Sequence, residues 1–467
     1  MNLLKKIKTD EILNTISKNF TEEIYLVGGM VRDWLMNKIS YDRDLIICNT
    51  DIKNFAKKLA EFFNATFIIL DEENKIYRIV MQDRINYLDV TEPADMSIKK
   101  DLERRDLTIN AIAVNLHSGE TVDYFNGIED VQNHKIKMIK EQNFIDDPLR
   151  LLRVFRFQSA TGFDIEDITV ETVKKHSNLI NTPAKERVIY EIMKLFDGKF
   201  SHNAILKCDE CEFLNKIFPF VDELHKVPPN SHHHLDLFNH SLETVKQIQA
   251  IYEASDKEIK EHLEQTDFGG FSRLAHLKFA GFMHDIGKFS TWTIEENGRH
   301  RFIKHDDAGA KLAKEFLKSL KFSNKQIEYL CFIIKNHIYP SSVMQSPEIN
   351  EKTMMRFVRK ADKNAIDLIT IAKADRLSAR GIEITEEIIN NNINSLNKLQ
   401  KFYLDKRKTL KPLPILLDGN EVMKILKIKP SKILGDILNK LHEEQLNGEI
   451  TTKDDAIDFV KTVYKKL

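Results

Sequence analysis

Two neighbouring segments organise this chain: Tyr25-Leu-Val-Gly-Gly-Met-Val-Arg-Asp33, and then Asp42-Arg-Asp44-Leu-Ile-Ile47. In the first segment an apolar run precedes two glycines, and residues with helical spacing follow them. This pattern predicts a strand, a glycine turn and a helix in succession. A turn of this kind leaves backbone N–H groups free at the start of the helix, where they can hold phosphate. The segment therefore indicates a site for a phosphorylated ligand.

The second segment separates two acids, Asp42 and Asp44, by one residue. We expect both on a second strand, because residues two apart on a strand point to the same side. Such a pair can hold two Mg²⁺ ions about 3.5–4 Å apart, one activating an attacking hydroxyl and the other neutralising a triphosphate and its leaving pyrophosphate. The further glycine and acid of a dinucleotide-binding fingerprint are absent, as is the Gly-Lys-Ser/Thr of a P-loop. The two segments together favour nucleotide transfer.

The pattern of Gly28-Gly29-x-x-Arg32-Asp33 with Asp42-x-Asp44 resembles the head of class II tRNA nucleotidyltransferases. This family comprises the CCA-adding enzymes and bacterial poly(A) polymerases of the polymerase-β-like superfamily. The resemblance implies that Gly28, Gly29 and Arg32 bind the nucleotide and that Asp42 and Asp44 are catalytic. It also implies a third catalytic acid, which Asp89 matches at the end of the strand-like run 85–90. A solvated acid at a strand end is the alternative interpretation of Asp89.

A second polar group, Arg104-Arg105-Asp106 with Asn110, stands just before an apolar run. Guanidinium groups suit a triphosphate, and a side-chain amide suits a ribose hydroxyl. Basic clusters more commonly only solvate a helix. Here the order Arg-Arg-Asp-x-x-x-Asn-Ala resembles the second motif of the same family, and 123–127 resembles its hinge. The resemblance implies that all four residues bind the nucleotide.

A third group begins a helix after Asp146, with Asp147 and Pro148 followed by arginines at every third position. It resembles the family's Glu-Asp-x-x-Arg motif, in which the matching Asp147 and Arg150 read the incoming base. Cytosine and adenine both present an amino donor beside a ring-nitrogen acceptor, so a carboxylate and a guanidinium can pair with either. Uracil and guanine present a carbonyl instead, which would repel the carboxylate. We also assign Arg153 and Arg156 to nucleotide binding.

A separate set of histidines and acids lies in the second half of the chain. Imidazoles and carboxylates spread over helices can converge on a divalent metal and generate hydroxide near neutral pH. A single His on a helix is more often a core residue, but His-Asp-Ile-Gly-Lys inside an apolar helix resembles an HD phosphohydrolase. The resemblance implies six ligands: His240, His284, Asp285 and Asp375 for a first ion, with His305 and His337 for a second.

These motifs predict an α+β chain, with a polymerase-β-like nucleotidyltransferase head of small mixed sheet and helices followed by mainly α-helical neck, HD and tail domains. We expect the head at 1–140, the base-reading neck at 141–227, the HD domain at 228–380 and the tail at 381–467. The tail carries lysines, and its resemblance to bacterial relatives implies contact with the tRNA backbone. A folded cap without RNA contact is the alternative.

The composition of the chain limits its possible functions further. The chain has 467 residues, 42% hydrophobic and 30% charged, with a net charge of −1, so RNA binding has to come from local basic patches. No apolar run approaches the length of a membrane span, and no signal-peptide core follows the N-terminus, so we expect a cytoplasmic protein without membrane contact. Four cysteines argue against a disulfide framework. No feature indicates an oligomeric state.

We therefore predict a template-independent enzyme that extends a tRNA 3′ end from CTP, ATP or both and releases pyrophosphate, with two Mg²⁺ ions in the head. We also predict a metal-dependent phosphohydrolase in the HD domain, the metal being unspecified. Two alternatives stay open: a poly(A) polymerase, and an HD phosphohydrolase whose head only binds RNA. Relatives that complete CCA without a second enzyme have a flexible loop between the third acid and the Arg-Arg-Asp motif. The segment between Asp89 and Arg104 is too short for that loop. Addition of only two cytidines is therefore as well supported as addition of the full CCA end.

Overall fold

The computed structural model describes residues 3–231, 234–346, 349–409 and 414–465. The chain divides into two compact units, Met1–Val221 and Asp222–Leu467. Within the described ranges no helix combines the length and the apolar character needed to cross a membrane. Each unit has its own core, and the two candidate chemical centres fall in different units.

The first unit is built on a mixed sheet of seven strands. These are β1 (Glu23–Val27), β2 (Arg43–Cys48), β3 (Thr66–Asp71), β4 (Ile76–Val80), β5 (Tyr87–Thr91), β6 (Ala113–Asn115) and β7 (Thr121–Val122). The spatial order is β3-β4-β5-β2-β1-β6-β7. Only β2 and β5 run parallel, and every other neighbouring pair is antiparallel. The mixed sheet at the N-terminal end confirms the predicted fold class.

Helices surround this sheet and continue beyond it. They are α1 (Leu3–Thr9), α2 (Glu11–Asn19), α3 (Gly29–Leu35), α4 (Ile52–Phe62), α5 (Ile98–Glu103), α6 (Gly127–Gln132), α7 (Gln142–Asp146), α8 (Leu149–Thr161), α9 (Asp167–His176), α10 (Lys185–Asp197), α11 (Ser201–Glu210) and α12 (Leu214–Ile217). Short 3₁₀ turns lie at Ala94–Met96, Thr108–Asn110 and Ser177–Asn181, and a two-stranded ladder joins β8 (Lys135–Ile136) to β9 (Asp164–Ile165). The apolar positions of α4 recur with helical spacing and are buried, as that pattern predicts.

The amphipathic pattern of residues 1–20 predicts one helix that leads into β1, but this prediction is wrong because the structure breaks the helix at Asp10. The Asp10 carboxylate accepts a hydrogen bond from the backbone N–H of Leu13 (3.0 Å) and so caps α2. The same carboxylate accepts from Arg43 (2.7 Å), which lies at the start of β2. A single straight helix through Asp10 could form neither this cap nor this ion pair. Arg43 is itself buried.

The second unit consists almost wholly of helices. Following α13 (Val221–Lys226), these are α14 (Leu237–Ala254), α15 (Lys257–Leu263), α16 (Arg273–Met283), α17 (Lys288–Thr291), α18 (His305–Ser319), α19 (Asn324–Asn336), α20 (Tyr339–Met344), α21 (Glu351–Ala361), α22 (Ala365–Ser378), α23 (Glu386–Lys406), α24 (Gly419–Leu426), α25 (Lys432–Asn447) and α26 (Lys453–Tyr464), with a 3₁₀ turn at Asp362–Asn364. One hairpin pairs β10 (Trp292–Ile294) with β11 (His300–Phe302). The helical remainder agrees with the prediction.

A buried polar network ties four helices of this unit together. The fully buried Asp367 carboxylate of α22 accepts hydrogen bonds from Arg273 (2.9 Å) and from Tyr329 (2.8 Å), and it contacts the Nε2 of His262 (2.8 Å). Burial alone would raise the pKa of Asp367, but His262 and Arg273 outweigh that effect and lower it. The four side chains come from α15, α16, α19 and α22, so this carboxylate fixes how those helices pack.

Candidate active site

The glycine turn of the head leaves little room for a side chain at Gly28. Gly28 has φ 74°, a left-handed conformation that favours glycine, and joins β1 to α3. A Cβ at this position would lie 3.1 Å from a terminal nitrogen of Arg105 and 3.2 Å from an Asp44 oxygen. The missing side chain therefore lets backbone, guanidinium and carboxylate meet at one point.

The two predicted catalytic acids lie beside this turn, but not both on β2. The strand begins at Arg43, so Asp44 belongs to it and Asp42 precedes it. Placing Asp42 on the strand was wrong, because β1 ends opposite Asp44 and β5 pairs with β2 only from the position opposite Arg43. Tyr87 donates a hydrogen bond to Asp42 (3.0 Å). Burial and the charge of Asp42 raise the pKa of Asp44 to about 7.

The third predicted acid, Asp89, lies beside Asp44 in the parallel register of β2 and β5. Its carboxylate is engaged by Arg78, which donates two hydrogen bonds of 2.7 Å from the neighbouring strand β4. The Arg78 guanidinium also lies over the ring of Tyr87, 4.2 Å from its centroid. Sequence analysis did not identify Arg78 or Tyr87, although the β4–β5 hairpin register pairs Arg78 directly with Asp89.

A cavity of about 710 Å³ opens over the acidic pair. Its lining contains Gly28, Gly29, Arg32, Asp42, Asp44, Arg105, Asp106, Asn110, Asp147, Arg150, Arg153 and Arg156, together with Leu149, Phe157, Glu186, Arg187, Tyr190 and Glu191. The head residues predicted to bind or transfer a nucleotide are thus gathered there, with two exceptions. Neither Asp89 nor Arg104 belongs to the lining, and Arg104 instead pairs with the buried Asp101 (2.7 Å).

Asp106 and Asn110 connect the arginines of this cavity. The buried Asp106 accepts from Arg153 (2.7 Å) and from the Asn110 amide (2.9 Å), and the Asn110 oxygen accepts from Arg32 (2.6 Å). Burial alone would raise the pKa of Asp106, but Arg153 and the Asn110 hydrogen bond overcome it and hold the pKa at about 2. These contacts link Arg153 directly, and Arg32 through Asn110, to one carboxylate.

The predicted base-reading pair lies where two helices meet. The helix predicted to begin after Asp146 is α8, which starts at Leu149 with Pro148 before it, and Asp147 is extended between α7 and α8. Asp147 accepts from Arg187 (3.0 Å), and Arg150 donates to the backbone oxygens of Arg104 (2.7 Å) and Asn143 (3.1 Å). Both side chains line the cavity. Their geometry holds an acceptor and a donor side by side.

Three arginines of the cavity share one aromatic ring. The guanidinium carbons of Arg32, Arg153 and Arg156 lie 4.9, 5.2 and 4.8 Å from the centroid of the Phe157 ring. The buried Glu191 accepts from Arg156 (3.1 Å) and pairs with Arg153 (3.5 Å). The ring and the carboxylate hold like charges together, which leaves a cationic wall facing the acidic pair. Sequence analysis did not identify Phe157, although it adjoins Arg156 on the same helix.

In the second unit the six predicted HD ligands converge. One ligand atom each from His240, His284, Asp285 and Asp375 lies within 4.8 Å of the others, and the same holds for Asp285, His305 and His337. They arrive from separate elements: α14, the ends of α16 and α19, the start of α18, and α22. Asp285 belongs to both groups, so the two could hold neighbouring ions.

The orientation of the imidazoles fits a metal site. The Nδ1 atoms of His284, His305 and His337 lie 2.8, 2.9 and 2.7 Å from the backbone oxygens of Gly281, Phe302 and Ile334. A neutral imidazole that donates Nδ1–H to a carbonyl presents the lone pair of Nε2, which is the arrangement that orients metal-binding histidines. The Nε2 atoms of all three face carboxylates of the cluster.

Charge in this cluster is balanced internally. Burial alone would lower the pKa of His284, but Asp285 and Asp375 outweigh it and raise the pKa to about 10. Burial and the neighbouring His284 lower the pKa of His337 to about 4. Lys288 lies 2.6 Å from an Asp285 oxygen. The buried Asp285 and the half-buried Asp375 thus require positive charge, which a divalent ion also supplies.

Three family models match consecutive parts of the chain. Residues 24–137 match the Poly A polymerase head domain, residues 162–224 match the probable RNA and SrmB-binding site of polymerase A, and residues 237–380 match the HD domain. The first match contains both acids of the head, and the last contains all six ligands of the HD cluster. Both the head family and the cluster imply divalent metals.

Full-length relatives point the same way. The chain is 29% identical over 453 residues to an A-adding tRNA nucleotidyltransferase of Deinococcus radiodurans, covering 93% of this chain and 94% of that protein. It is 28% identical over 448 residues to a CC-adding tRNA nucleotidyltransferase of Thermus thermophilus, covering 94% and 93%. A solved structure of a CCA-adding enzyme with ATP matches with TM-score 0.58 and 20% identity, over 99% of this chain and 95% of that chain. The last likeness establishes a shared fold.

Proposed function

The chain belongs to the class II tRNA nucleotidyltransferases, and we propose that Asp42 and Asp44 form the centre at which its head adds C or A residues to a tRNA 3′ end from CTP and ATP. The observation that supports this assignment is the single cavity that gathers the acidic pair, the glycine turn and the arginines. A nucleoside triphosphate needs phosphate-binding groups and a carboxylate pair within one open space.

The acidic pair fits divalent ions by its chemistry. Two carboxylates in one partly buried place repel each other, as the raised pKa of Asp44 reflects, and a shared cation removes that cost. We assign two Mg²⁺ ions to Asp42 and Asp44, which when bound would supply the charge needed to deprotonate the RNA hydroxyl and to release pyrophosphate. Their identity as magnesium is part of this proposal.

The remaining residues bind and orient the triphosphate. Backbone N–H groups at Gly28–Gly29, with Arg32 and Arg105, would contact the phosphates, since these groups lie at the same wall of the cavity. Asn110 keeps one lone pair of its side-chain oxygen for a ribose hydroxyl, because Arg32 uses the other. Asp106 acts on the nucleotide indirectly, by holding Arg153 and Asn110 in place.

Base selection would rest on Asp147 and Arg150. The Asp147 carboxylate, which Arg187 holds by a hydrogen bond, would accept from an exocyclic amino group. Arg150 provides donors for the adjacent ring nitrogen. Cytosine and adenine share this pattern, whereas uracil and guanine place a carbonyl opposite Asp147.

The test is to incubate the protein with tRNA that lacks its CCA end and with each nucleoside triphosphate in turn. We expect incorporation of CMP, AMP or both, with no UMP or GMP. Long adenosine tracts on unstructured RNA would instead identify a poly(A) polymerase. Absence of any incorporation by a folded, metal-supplemented protein would leave the head as an RNA-binding module.

We further propose that the enzyme adds the two cytidines and stops. In this chain the short turn Ala94–Met96 occupies the segment between β5 and α5. Family members that complete CCA have a flexible loop at this position. The alternative switching element, the hinge at 123–127, is held firmly: Asp123 accepts from the backbone of Gly127 (2.8 Å) and Ile128 (2.9 Å). The two full-length relatives add different nucleotides at nearly equal identity, so they do not distinguish the outcomes.

Supplying tRNA that ends in CC with ATP alone decides between these outcomes. We expect no adenosine addition, although CTP is incorporated normally into tRNA lacking the whole CCA end. Efficient transfer of one adenosine to the CC end would refute the proposal and assign either full CCA addition or A addition, according to whether CTP is also used.

For the second unit we propose a divalent-metal phosphohydrolase acting on phosphate esters or cyclic phosphates, such as those at damaged RNA ends. The specific observation is the set of three imidazoles oriented by backbone carbonyls towards Asp285. Phosphomonoesters and cyclic phosphodiesters should be tested with Mn²⁺, Mg²⁺, Ni²⁺ and Co²⁺. If the wild type hydrolyses none of them with any of these ions, the cluster is structural.

A further inference from the structure

A polar network lies beside the acidic pair of the head, on strands β4 and β5. The Arg78 guanidinium donates two hydrogen bonds of 2.7 Å to the Asp89 carboxylate, one to each oxygen. The central carbon of this guanidinium lies 4.2 Å from the centroid of the Tyr87 ring, and the Tyr87 hydroxyl donates to Asp42 (3.0 Å). Contacts therefore run without a break from Asp89 through Arg78 and Tyr87 to a predicted metal ligand.

The strand register places the members of this network on one face of the sheet. Asp44 on β2 stands opposite Asp89 on β5, and Asp89 stands opposite Arg78 on β4. Tyr87 lies two residues before Asp89, and residues two apart on a strand point to the same side. Three neighbouring strands thus set two carboxylates and a guanidinium in one row, with the tyrosine beside them.

Two roles are open to Asp89 in this row. A third carboxylate next to Asp44 could bind the ions directly, as the family resemblance implies. Against that role, Asp89 is outside the lining of the cavity, and each of its oxygens accepts a hydrogen bond from Arg78. A bidentate pair of this kind is strong and holds both groups in a fixed orientation. An ion at Asp89 would also lie beside a guanidinium, whose positive charge repels it.

The hydrogen bond from Tyr87 falls where the strand ladder ends. The ladder between β2 and β5 begins at Arg43 opposite Leu88, so Asp42 lies one position before it. Tyr87 lies one position before Leu88, and its hydroxyl reaches the Asp42 carboxylate. The half-buried tyrosine ring is itself held by the Arg78 guanidinium over its face. Hydrogen bonds that orient a metal-binding carboxylate also strengthen the binding of the metal.

We propose that Tyr87 positions Asp42 for a divalent ion, with Arg78 fixing the tyrosine ring. Asp89 then serves as the anchor of that guanidinium and not as a metal ligand. The inference rests on the proposed function, which assigns two ions to Asp42 and Asp44. These positioning residues act through Asp42 and touch neither nucleotide nor RNA. Their loss should therefore weaken metal binding and lower kcat while leaving KM for tRNA unchanged.

The ion pair between Arg78 and Asp89 separates the two roles, because they predict opposite effects of one substitution. If Asp89 bound the metal, Arg78→Gln would free this ligand and would maintain or strengthen metal binding. A positioning role predicts that Arg78→Gln and Asp89→Asn each weaken metal binding about tenfold, within the range for partners of metal ligands. The double variant should then be no weaker than either single variant, because both changes act through one contact.

Metal binding is measured on the full-length protein as Mn²⁺ affinity by electron paramagnetic resonance, with CTP present. The Mn²⁺ signal that Asp44→Ala removes defines the ions of the head and excludes those of the HD cluster. Tyr87→Phe removes only the hydroxyl and keeps the ring under the guanidinium. This variant should bind the head ions about tenfold more weakly and lower kcat for CMP addition to a similar extent.

The matched control is a neighbouring ion pair that flanks the same two strands, Lys75 with Glu92 (2.6 Å), outside the lining of the cavity. Lys75→Gln and Glu92→Gln should bind Mn²⁺ and add CMP like the wild type. Circular dichroism and thermal unfolding verify that each variant is folded.

Unchanged Mn²⁺ affinity in Tyr87→Phe would overturn the inference, as would additive losses in the double variant or an equal loss in the control. Maintained or stronger binding in Arg78→Gln, together with a loss in Asp89→Asn, would also overturn it and make Asp89 a ligand. A wild type without Mn²⁺ that depends on Asp44 would overturn both the inference and the proposed ions. If these ions bind and depend on Tyr87 but no nucleotide is incorporated, the proposed function fails and the positioning role stands.

Discussion

The head and the HD cluster hold negative charge in opposite ways. Asp42 and Asp44 are two residues apart in sequence, Asp42 just before β2 and Asp44 on it, and both line an open cavity that also contains several arginines. Asp285 and Asp375 come from distant helices and lie among histidines in a small buried cluster. The head has room and cationic surface for a triphosphate and an RNA end. The cluster offers imidazole and carboxylate ligands for metal ions, so the two centres suit different chemistry.

The largest expected effect is the loss of nucleotide addition by the head, with the HD cluster unaffected. Asp44→Ala removes a predicted metal ligand without opening a core, so nucleotide addition should fall by roughly a thousandfold or more, about 4 kcal/mol of transition-state stabilisation. Hydrolysis by the HD cluster should be unchanged. Incorporation of labelled CTP or ATP measures the effect, and Asp42→Ala should reproduce it. A near-normal rate in either variant would withdraw the catalytic assignment.

The reciprocal change is Asp285→Ala, which removes the carboxylate shared by both ligand groups. Hydrolysis should fall by at least about a hundredfold, together with the bound metal measured by mass spectrometry. Nucleotide addition should persist. His305→Ala, which touches only the second group, is the matched comparison and should retain more metal. Full metal content in Asp285→Ala would contradict the assignment of this residue as a ligand.

A smaller effect should separate the stabilities of the two units. Asp367→Asn removes one of the two carboxylates that pair with the buried Arg273, the other being Asp267 (2.6 Å), so the expected cost is about 3 kcal/mol, the lower end for breaking a buried ion pair. Thermal unfolding should show the loss, and metal affinity of the HD cluster should weaken because α16, α19 and α22 also carry its ligands. Addition of nucleotides at permissive temperature should be retained. Wild-type stability of the variant would show that the network contributes nothing net.

The smallest predicted effect concerns Asp106 of the head and depends on pH. Its pKa is about 2 in the folded protein and 3.8 in the reference state, so folding favours the ionised form. The corresponding stability, about 2 kcal/mol, is fully present above pH 4 and disappears as the pH falls through the folded value. Asp106→Asn should therefore be destabilised at pH 7 and approach the wild type near pH 2. Urea unfolding at several pH values checks this, and a pH-independent difference would exclude it.

Much of the fold follows from local pattern. An apolar run followed by two glycines predicted the strand, turn and helix near residues 24–36. The helical spacing of the apolar residues from Ile52 to Phe63 likewise predicts a helix, which the structure ends at Phe62. The break at Asp10 could not be predicted in this way, because the competing partner of that carboxylate is Arg43, on another element. Tertiary contacts decide between one helix and two when a capping residue lies inside a helical pattern.

The residues of the candidate sites, like the elements of the fold, could be predicted from the sequence only in part. The family resemblance identified the acids and arginines of the head as candidate site residues. In the structure nearly all of them line one cavity. Arg78 was missed because its role depends on strand register, which sets it opposite Asp89. The six HD residues span many helices, so their convergence depends on packing that spacing alone does not encode.

The position of the imidazoles at helix ends has a mechanical consequence. His284 and His337 terminate α16 and α19, and His305 begins α18, while His240 and Asp375 lie on α14 and α22. An ion shared by these residues would act as a cross-link among five helices. Ligand binding at a concentration of 100 Kd stabilises a fold by about 2.7 kcal/mol. We therefore expect a chelator to lower the unfolding temperature of the second unit more than that of the first, whose proposed ions would be held by two carboxylates near one strand, and calorimetry of the full chain would measure both.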